Sequence, residues 1–318
     1  MTTRRVGLLF LMAAVALAAG SLAFAAYPER PVKLIIPWAA GGDTDATQRP
    51  FAEIAKKYLD QPLVVVNITG ASGTVGAREA RGAPPDGYTL LSIHDYIHAT
   101  YWTGVGDISY KDFDPVCLIT STPEIMTAHG KAPWSNMREL VADAKKRPGE
   151  ITVGATLGST SHLFPAKIEQ LAGIKLKYVS YEGLAPRMTA ILGGHILLTD
   201  SNLTQLDKVR AGQLKVLGIA TDKRHPEIPE VPTLREQGID LVYGVNRGYV
   251  VPKGTPEAAV VRLEELCQKV SKDPAFVDAM KKQGTDVNFL DRKGYAEFMT
   301  KQDGWTAELV QALGMKRK

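Results

Sequence analysis

Three segments rich in glycine and hydroxyl residues carry the types best suited to chemistry. The first is Pro37-Trp38-Ala39-Ala40-Gly41-Gly42-Asp43-Thr44-Asp45, between an apolar strand pattern and a helical one. Glycines let backbone amides approach a ligand, and a helix N-terminus favours an anion. Asp43 or Asp45 would cap that helix, so a tight capped turn is the purely structural reading. The second, Asn67 to Gly76 with Ser72 and Gly73, repeats this grammar without the lysine of a phosphate loop. The third, Gly158-Ser159-Thr160-Ser161-His162, offers hydroxyls and free amides to a carboxylate at a helix start.

Other chemistries fit less well. A Ser161–His162 nucleophile pair is disfavoured because adjacent side chains diverge on a helix, and no Gly-x-Ser-x-Gly elbow occurs. His94-Asp95-Tyr96-Ile97-His98 imitates a two-histidine zinc helix. However, Asp stands where the Glu base would be, no third ligand is evident, and a loop is expected directly after a strand. Polar lining of a ligand cleft is the functional reading of this segment. No metal, cofactor or catalytic residue is expected.

The elements that must position these residues alternate. Strand patterns at Val32–Ile36, Leu63–Val66, Tyr88–Ile93, Ile151–Ala155, Leu176–Val179, Ile196–Leu198 and Leu214–Ala220 are separated by helical ones. Thr74–Arg81 reads as a short helix. Ser135 reads as an N-cap, Gly173 as a helix stop, and Asp273-Pro274 as a cap followed by a first-turn proline. Near-continuous apolar strands alternating with helices imply an α/β fold with mostly parallel sheets covered on both faces. Ligands then sit in the loops at the carboxyl ends of strands, after Ile36, Val66, Ile93, Ala155 and Leu198. The C-terminal stripe Tyr295, Phe298, Trp305, Leu309 and Ala312 is expected to pack in a core.

The chain has 318 residues, 45% of them hydrophobic, and a formal charge of +4. That suits two globular units and gives no argument for nucleic acid. Arg4 and Arg5 precede an uncharged run to Tyr27, and Ala23-Phe24-Ala25 has the small-x-small pattern of signal cleavage. Residues 1–26 are therefore read as a cleaved signal peptide, a retained anchor being the alternative. Loss of the two arginines leaves a mature charge of +2. Cys117 and Cys267 are read as two buried free thiols, with a disulfide as the alternative that export permits.

Taken in order, these loops resemble the Bug family, the periplasmic receptors of tripartite tricarboxylate transporters. The resemblance rests on Tyr27-Pro28-Glu29-Arg30-Pro31, the loop Pro37 to Asp45, Pro84-Pro85-Asp86-Gly87-Tyr88-Thr89-Leu90 and Lys111 to Val116. It continues through Gly158 to His162, Tyr181-Glu182-Gly183, Leu192-Gly193-Gly194, Val231-Pro232-Thr233 and Pro252 to Pro256. It implies a two-lobed, flytrap-like (type II) periplasmic binding fold, each lobe a mostly parallel sheet flanked by helices. Residues 27–122 with 248–318 would form one lobe and 123–247 the other. Departures from the family pattern are Ile68-Thr69 after Asn67, the charged His94, Asp95 and His98, and Thr199-Asp200-Ser201-Asn202.

The function this implies is capture of a small carboxylate in the interlobe cleft, for delivery to membrane components of the transporter. A periplasmic sensor partnering a membrane kinase and an exported hydrolase or metalloenzyme are the alternatives. The expected ligand-binding residues are Trp38, Ala39, Ala40, Gly41, Gly42, Thr44, Asp45, Ser72, Gly73, His94, Asp95, Gly158, Ser159, Thr160, Ser161, Tyr181, Asp200, Ser201 and Arg247. If Asp95 and Asp200 both face the cleft, they would repel a purely anionic ligand and suit one with a hydroxyl or amino group. A periplasmic monomer with no nucleic-acid partner is expected.

Overall fold

The computed structural model describes residues 27–315, so the expected signal peptide lies outside the described residues. The chain begins with three strands interleaved with helices. These are β1 (Val32–Ile36), α1 (Asp43–Ala55), β2 (Leu63–Asn67), α2 (Thr74–Arg81), β3 (Thr89–Ile93) and α3 (Tyr96–Thr103). β1 pairs parallel with β2 and with β3. Its Val-Lys-Leu-Ile-Ile does not alternate because helices cover both faces, and Val32, Leu34, Ile35 and Ile36 are fully buried.

Next comes β4 (Phe113–His129), 17 residues long and shared between two sheets. Its first part pairs antiparallel with β9 (Gly244–Pro252), from Phe113 opposite Pro252 to Pro123 opposite Gly244. Beyond Pro123 it pairs instead with β7 (Leu198–Asn202) and β8 (Leu214–Ile219). Proline has no N–H to donate to a ladder, so it suits the residue where a strand changes sheet. The second lobe comprises α4 (Met137–Lys146), β5 (Thr152–Ala155), α5 (Thr160–Ala172), β6 (Lys177–Ser180), α6 (Leu184–Leu192), β7, α7 (Leu206–Arg210) and β8. There β5 pairs parallel with β6 and β7.

After β9 the chain returns to the first lobe with α8 (Glu257–Lys272), α9 (Pro274–Lys282), β10 (Asp286–Leu290) and α10 (Arg292–Ala312). β10 pairs antiparallel with β4. Parallel pairing thus holds where strands alternate with helices. The crossing strands are antiparallel, which makes the sheets mixed. α10 reaches both cores, with Tyr295 and Met299 in the first and Leu309 and Val310 in the second.

Several local expectations shift. The N-cap of α4 is Asn136 rather than Ser135. The Asn136 side chain accepts the Glu139 amide at 3.0 Å, and Glu139 in turn accepts the Ser135 amide at 2.7 Å. α3 begins at Tyr96, where a loop was expected. Of the C-terminal stripe, Tyr295 and Leu309 are buried, but Trp305 is 39% exposed and lies against the Tyr243 ring.

The two cysteines are not free thiols. Cys117 on β4 and Cys267 on α8 are joined as a disulfide, with Cα atoms 6.7 Å apart. α8 lies across β4 and brings together residues separated by 150 positions. The cross-link removes loop entropy from the unfolded chain, worth up to roughly 5 kcal/mol for so long a loop. A Cys117→Ser, Cys267→Ser double variant is therefore expected to melt several degrees lower than the oxidised protein. Scanning calorimetry with and without reductant checks this, and an unchanged melting temperature would count against the cross-link.

Candidate functional site

The site is assembled from loops of both lobes. After β1, Gly42 stands as N-cap of α1 and Asp43 occupies its first turn. Trp38 from the same loop stacks on His94, with ring centroids 5.4 Å apart. Tyr96 meets Trp38 edge-on. His94 follows β3 directly, and its Nδ1 accepts the Tyr96 amide at 3.1 Å. From the other lobe, Thr156 to Ser161 link β5 to α5. Ser161 Oγ accepts the Thr156 amide at 2.9 Å, and Thr156 Oγ1 accepts the Gly183 amide at 3.0 Å. Gly183 has φ +90°, and a Cβ there would lie 3.3 Å from the Trp38 ring. Glycine is thus required both by the turn and by the approach of the opposite lobe.

The lobes meet directly. Ser72 Oγ donates to the Leu157 carbonyl at 2.9 Å, and the Ser72 amide donates to Glu182 at 3.0 Å. Thr103 Oγ1 donates to the Gly158 carbonyl at 3.1 Å. Asn202 Nδ2 donates to Asp43 Oδ2 at 2.9 Å. Between them remains a cavity of about 30 Å³, lined by Trp38, Asp43, His94, Glu124, Thr156, Ser159–Ser161, Gly183, Leu184, Arg187, Asp200 and Val245. That is room for little more than water.

Charge dominates this cavity. Arg187 on α6 pairs with Asp200 on β7, both nearly buried. Arg247 on β9 is fully buried and pairs with Asp43. Its remaining donors reach Thr44 Oγ1 at 3.2 Å and Thr122 Oγ1 at 2.7 Å. A third acid, Glu124 on β4, is 4% exposed, and its Oε2 has no hydrogen-bond partner. Burial and the nearby Asp200 and Asp43 carboxylates hold Glu124 well above the usual range. Burial and Asp43 push Asp200 up to about 6 against Arg187. Burial opposes ionisation of Asp43, yet the Arg247 and Arg187 charges and the Asn202 hydrogen bond together hold it below its ordinary value. Burial and the Arg247 charge push His94 down to about 3, so it is neutral.

Of the residues singled out from sequence, Trp38, His94, Ser159, Thr160, Ser161 and Asp200 line the cavity. The others are placed elsewhere, for local reasons. Asp45 accepts from the Gly41 amide and from Arg49 and Asn67, which makes it a loop clamp. Thr44 and Arg247 are committed to the buried pair with Asp43. Ala39, Ala40 and Gly41 form the outer turn, and Gly42 closes it through the Ala39 carbonyl. Ser72 and Gly158 serve the lobe contacts, and Gly73 packs beneath the Tyr96 and Trp38 rings. Tyr181 belongs to a small apolar cluster of the second lobe.

Strand alternation turns Ser201 away from Asp200, towards Thr127. It also separates Asp95 from the cavity. Val245 faces the cavity, while Asn246 faces the opposite side and holds Asp95 by its amide at 2.8 Å and its Nδ2 at 3.0 Å. Asp95 therefore borders a second, larger cavity of about 420 Å³ with Asn246, Tyr243 and Trp305. The premise that Asp95 and Asp200 share the cleft is corrected. His98 also leaves His94 and bonds Asp303 on α10 at 3.2 Å. Among the described residues no group of His, Cys, Asp or Glu is arranged to hold a metal ion, and no helix is long and apolar enough to cross a membrane.

Sequence reasoning missed Glu124, Thr156, Gly183 and Arg187, and treated Asp43 only as a cap. Two had a readable signal. Glu124 interrupts an apolar strand run, and Arg187 lies on the apolar stripe Leu184, Met188 and Ile191.

The family model for the tripartite tricarboxylate transporter family receptor matches residues 47–315. Protein BugT of Bordetella pertussis is 30% identical over 99% of both chains. The solved structure of the periplasmic binding protein BugD is 32% identical, covers 92% of this chain and all of its own, and superposes with a TM-score of 0.87. MatC from Rhodopseudomonas palustris, solved with bound malate, is 26% identical over 89% of this chain and all of its own, with a TM-score of 0.84.

Arg187→Met is expected to destabilise the fold by about 3–5 kcal/mol, because it strands the Asp200 charge, and adding Asp200→Asn should restore most of the loss. Denaturant titration of the single and double variants measures this; equal stability of all three would refute the pairing. The unfolded chain protonates His94 near its ordinary value, about 6.5, whereas the folded site holds it near 3. Its contribution to stability is therefore present above pH 6.5 and falls as pH drops towards 3. His94→Gln should lose less stability than the parent between pH 7 and pH 5.

Proposed function

The chain belongs to the tripartite tricarboxylate transporter receptor family, and on that premise we propose that it captures a small organic carboxylate in the periplasm and delivers it to the membrane components of such a transporter. Its lobes are residues 27–122 with 248–318, and 123–247, hinged at β4 and β9. The signal-like residues 1–26 direct export.

One observation carries the reading. The N-termini of α5 and α6 open into the cavity without side-chain caps, at Ser159 and Gly183. First-turn amides and the helix dipole there favour a negative group. The third helix start at the cavity, that of α1, is met by the protein's own Asp43, held ionised. A solute carboxylate replaces its hydration with the fixed amides of α5 and the hydroxyls of Ser159, Thr160 and Ser161.

A cavity of about 30 Å³ is too small for an organic acid. The lobes must part, admit the solute and close around it. Closure is favoured by the solute only through contacts made better in the closed form. The transporter then reads that form.

Thr160→Asp tests the site. An aspartate in the first turn suits the helix but occupies and repels the anion position. Calorimetric titration with a panel of mono-, di- and tricarboxylates is expected to find at least one binder for the parent. The variant should lose at least about 100-fold, roughly 2.7 kcal/mol, while keeping its melting temperature. Undiminished binding by the variant would remove the carboxylate from this position.

A further inference from the structure

Two residues that line the cavity each carry a buried polar atom without a partner among the described residues. Trp38 Nε1 is a donor without an acceptor, and Glu124 Oε2 is a carboxyl oxygen without a donor. Buried polar atoms are normally paired, and leaving one unpaired costs free energy. The two groups belong to opposite lobes and line the same cavity. A bound solute is the natural source of both missing partners, offering an acceptor towards Trp38 and a donor towards Glu124.

The charges select the kind of donor. Both arginines near the cavity are already taken, Arg187 by Asp200 and Arg247 by Asp43. Three acids face two guanidiniums: Asp43 and Asp200 are paired, Glu124 is held protonated, and His94 is neutral. A second solute carboxylate near Glu124 would add an unpaired negative charge to a dry site whose two guanidiniums are already matched. A protonated amine there would supply hydrogen-bond donors and make Glu124 give up its proton, so that the two form a balanced pair.

Building on the carboxylate-receptor reading, we infer that Glu124 forms a cation subsite and that the solute is an amino acid, its ammonium on Glu124 and its carboxylate at the start of α5. Arg187 and Arg247 then act as counter-charges for Asp200 and Asp43 rather than as solute ligands. The Trp38 indole N–H donates to an oxygen of the solute.

A matched series isolates the ammonium. Succinate, malate and aspartate share one diacid skeleton and differ at C2 by hydrogen, hydroxyl and ammonium. Butyrate and 2-aminobutyrate make the same comparison for a monoacid. Calorimetry on the full mature chain is expected to show an amino member at least 30-fold tighter than its unsubstituted counterpart. Glu124→Gln keeps the shape, removes the charge and should erase most of that preference.

A second readout needs no variant. In the free protein burial, Asp200 and Asp43 favour protonated Glu124, against Arg187 and Arg247. An ammonium favours the ionised form, so an amino acid should release close to one proton, read from the dependence of binding heat on buffer ionisation. Preference for the unsubstituted acid, proton uptake, or an amino preference untouched by Glu124→Gln would overturn the inference while leaving carboxylate capture standing. Failure of every acid to bind would overturn both.

Discussion

A fully buried guanidinium must be compensated, and the compensation of Arg247 organises much of this molecule. Its side chain sits on a crossing strand and cannot reach water. It is met by Asp43 at the start of α1, by Thr44 in the same turn and by Thr122 on β4. Asp43 also accepts from Asn202 of the second lobe. One ion pair therefore fixes the first helix to both crossing strands and touches the opposite lobe. Breaking such a pair one-sidedly costs about 3–5 kcal/mol. Asp43 is committed in the same way, so the charge nearest the solute position is set by the scaffold.

The same arrangement makes the proposed capture of an anion compatible with a cavity beside three acids. The acids on the two arginines are neutralised locally. The attraction comes from helix ends, which act over the first turn. With a mature charge of only +2, the whole-protein field contributes little. Short-range dipoles engage fully when the lobes shut and water leaves, because hydrogen bonds strengthen in a low-dielectric site. In the proposed capture, recognition and closure are therefore one event.

Closure is also guided mechanically. β4 and β9 run side by side through the hinge, and α10 begins in one core and ends in the other. Three connections therefore join the two halves, an arrangement suited to the proposed opening and shutting. The disulfide between β4 and α8 stiffens the base from which that motion proceeds.

Much of the fold was legible in sequence because its signals are local. The apolar runs of β1, β3, β5 and β8, the glycine-rich helix starts, the Gly173 stop and the Asp273-Pro274 cap each depend on neighbours within a turn or two. The crossing strand β9 and the edge strand β10 escaped, since both are defined by antiparallel pairing with distant β4. Ordered motifs were enough to indicate the receptor family and several of the loops that line the cavity. They did not say which residues of those loops face it. Asp95 and Asp200 looked equivalent on paper, yet pleat alternation beside Asn246 sends one to the far side of the hinge. Arg247 was expected among the ligand-binding residues, but it is fully buried and paired with Asp43. Glu124 and Arg187 left a trace as polar breaks in apolar patterns, but their partners, like the pairing of Cys117 with Cys267, were decided by tertiary structure, because burial and counter-charge come from residues far apart in the chain.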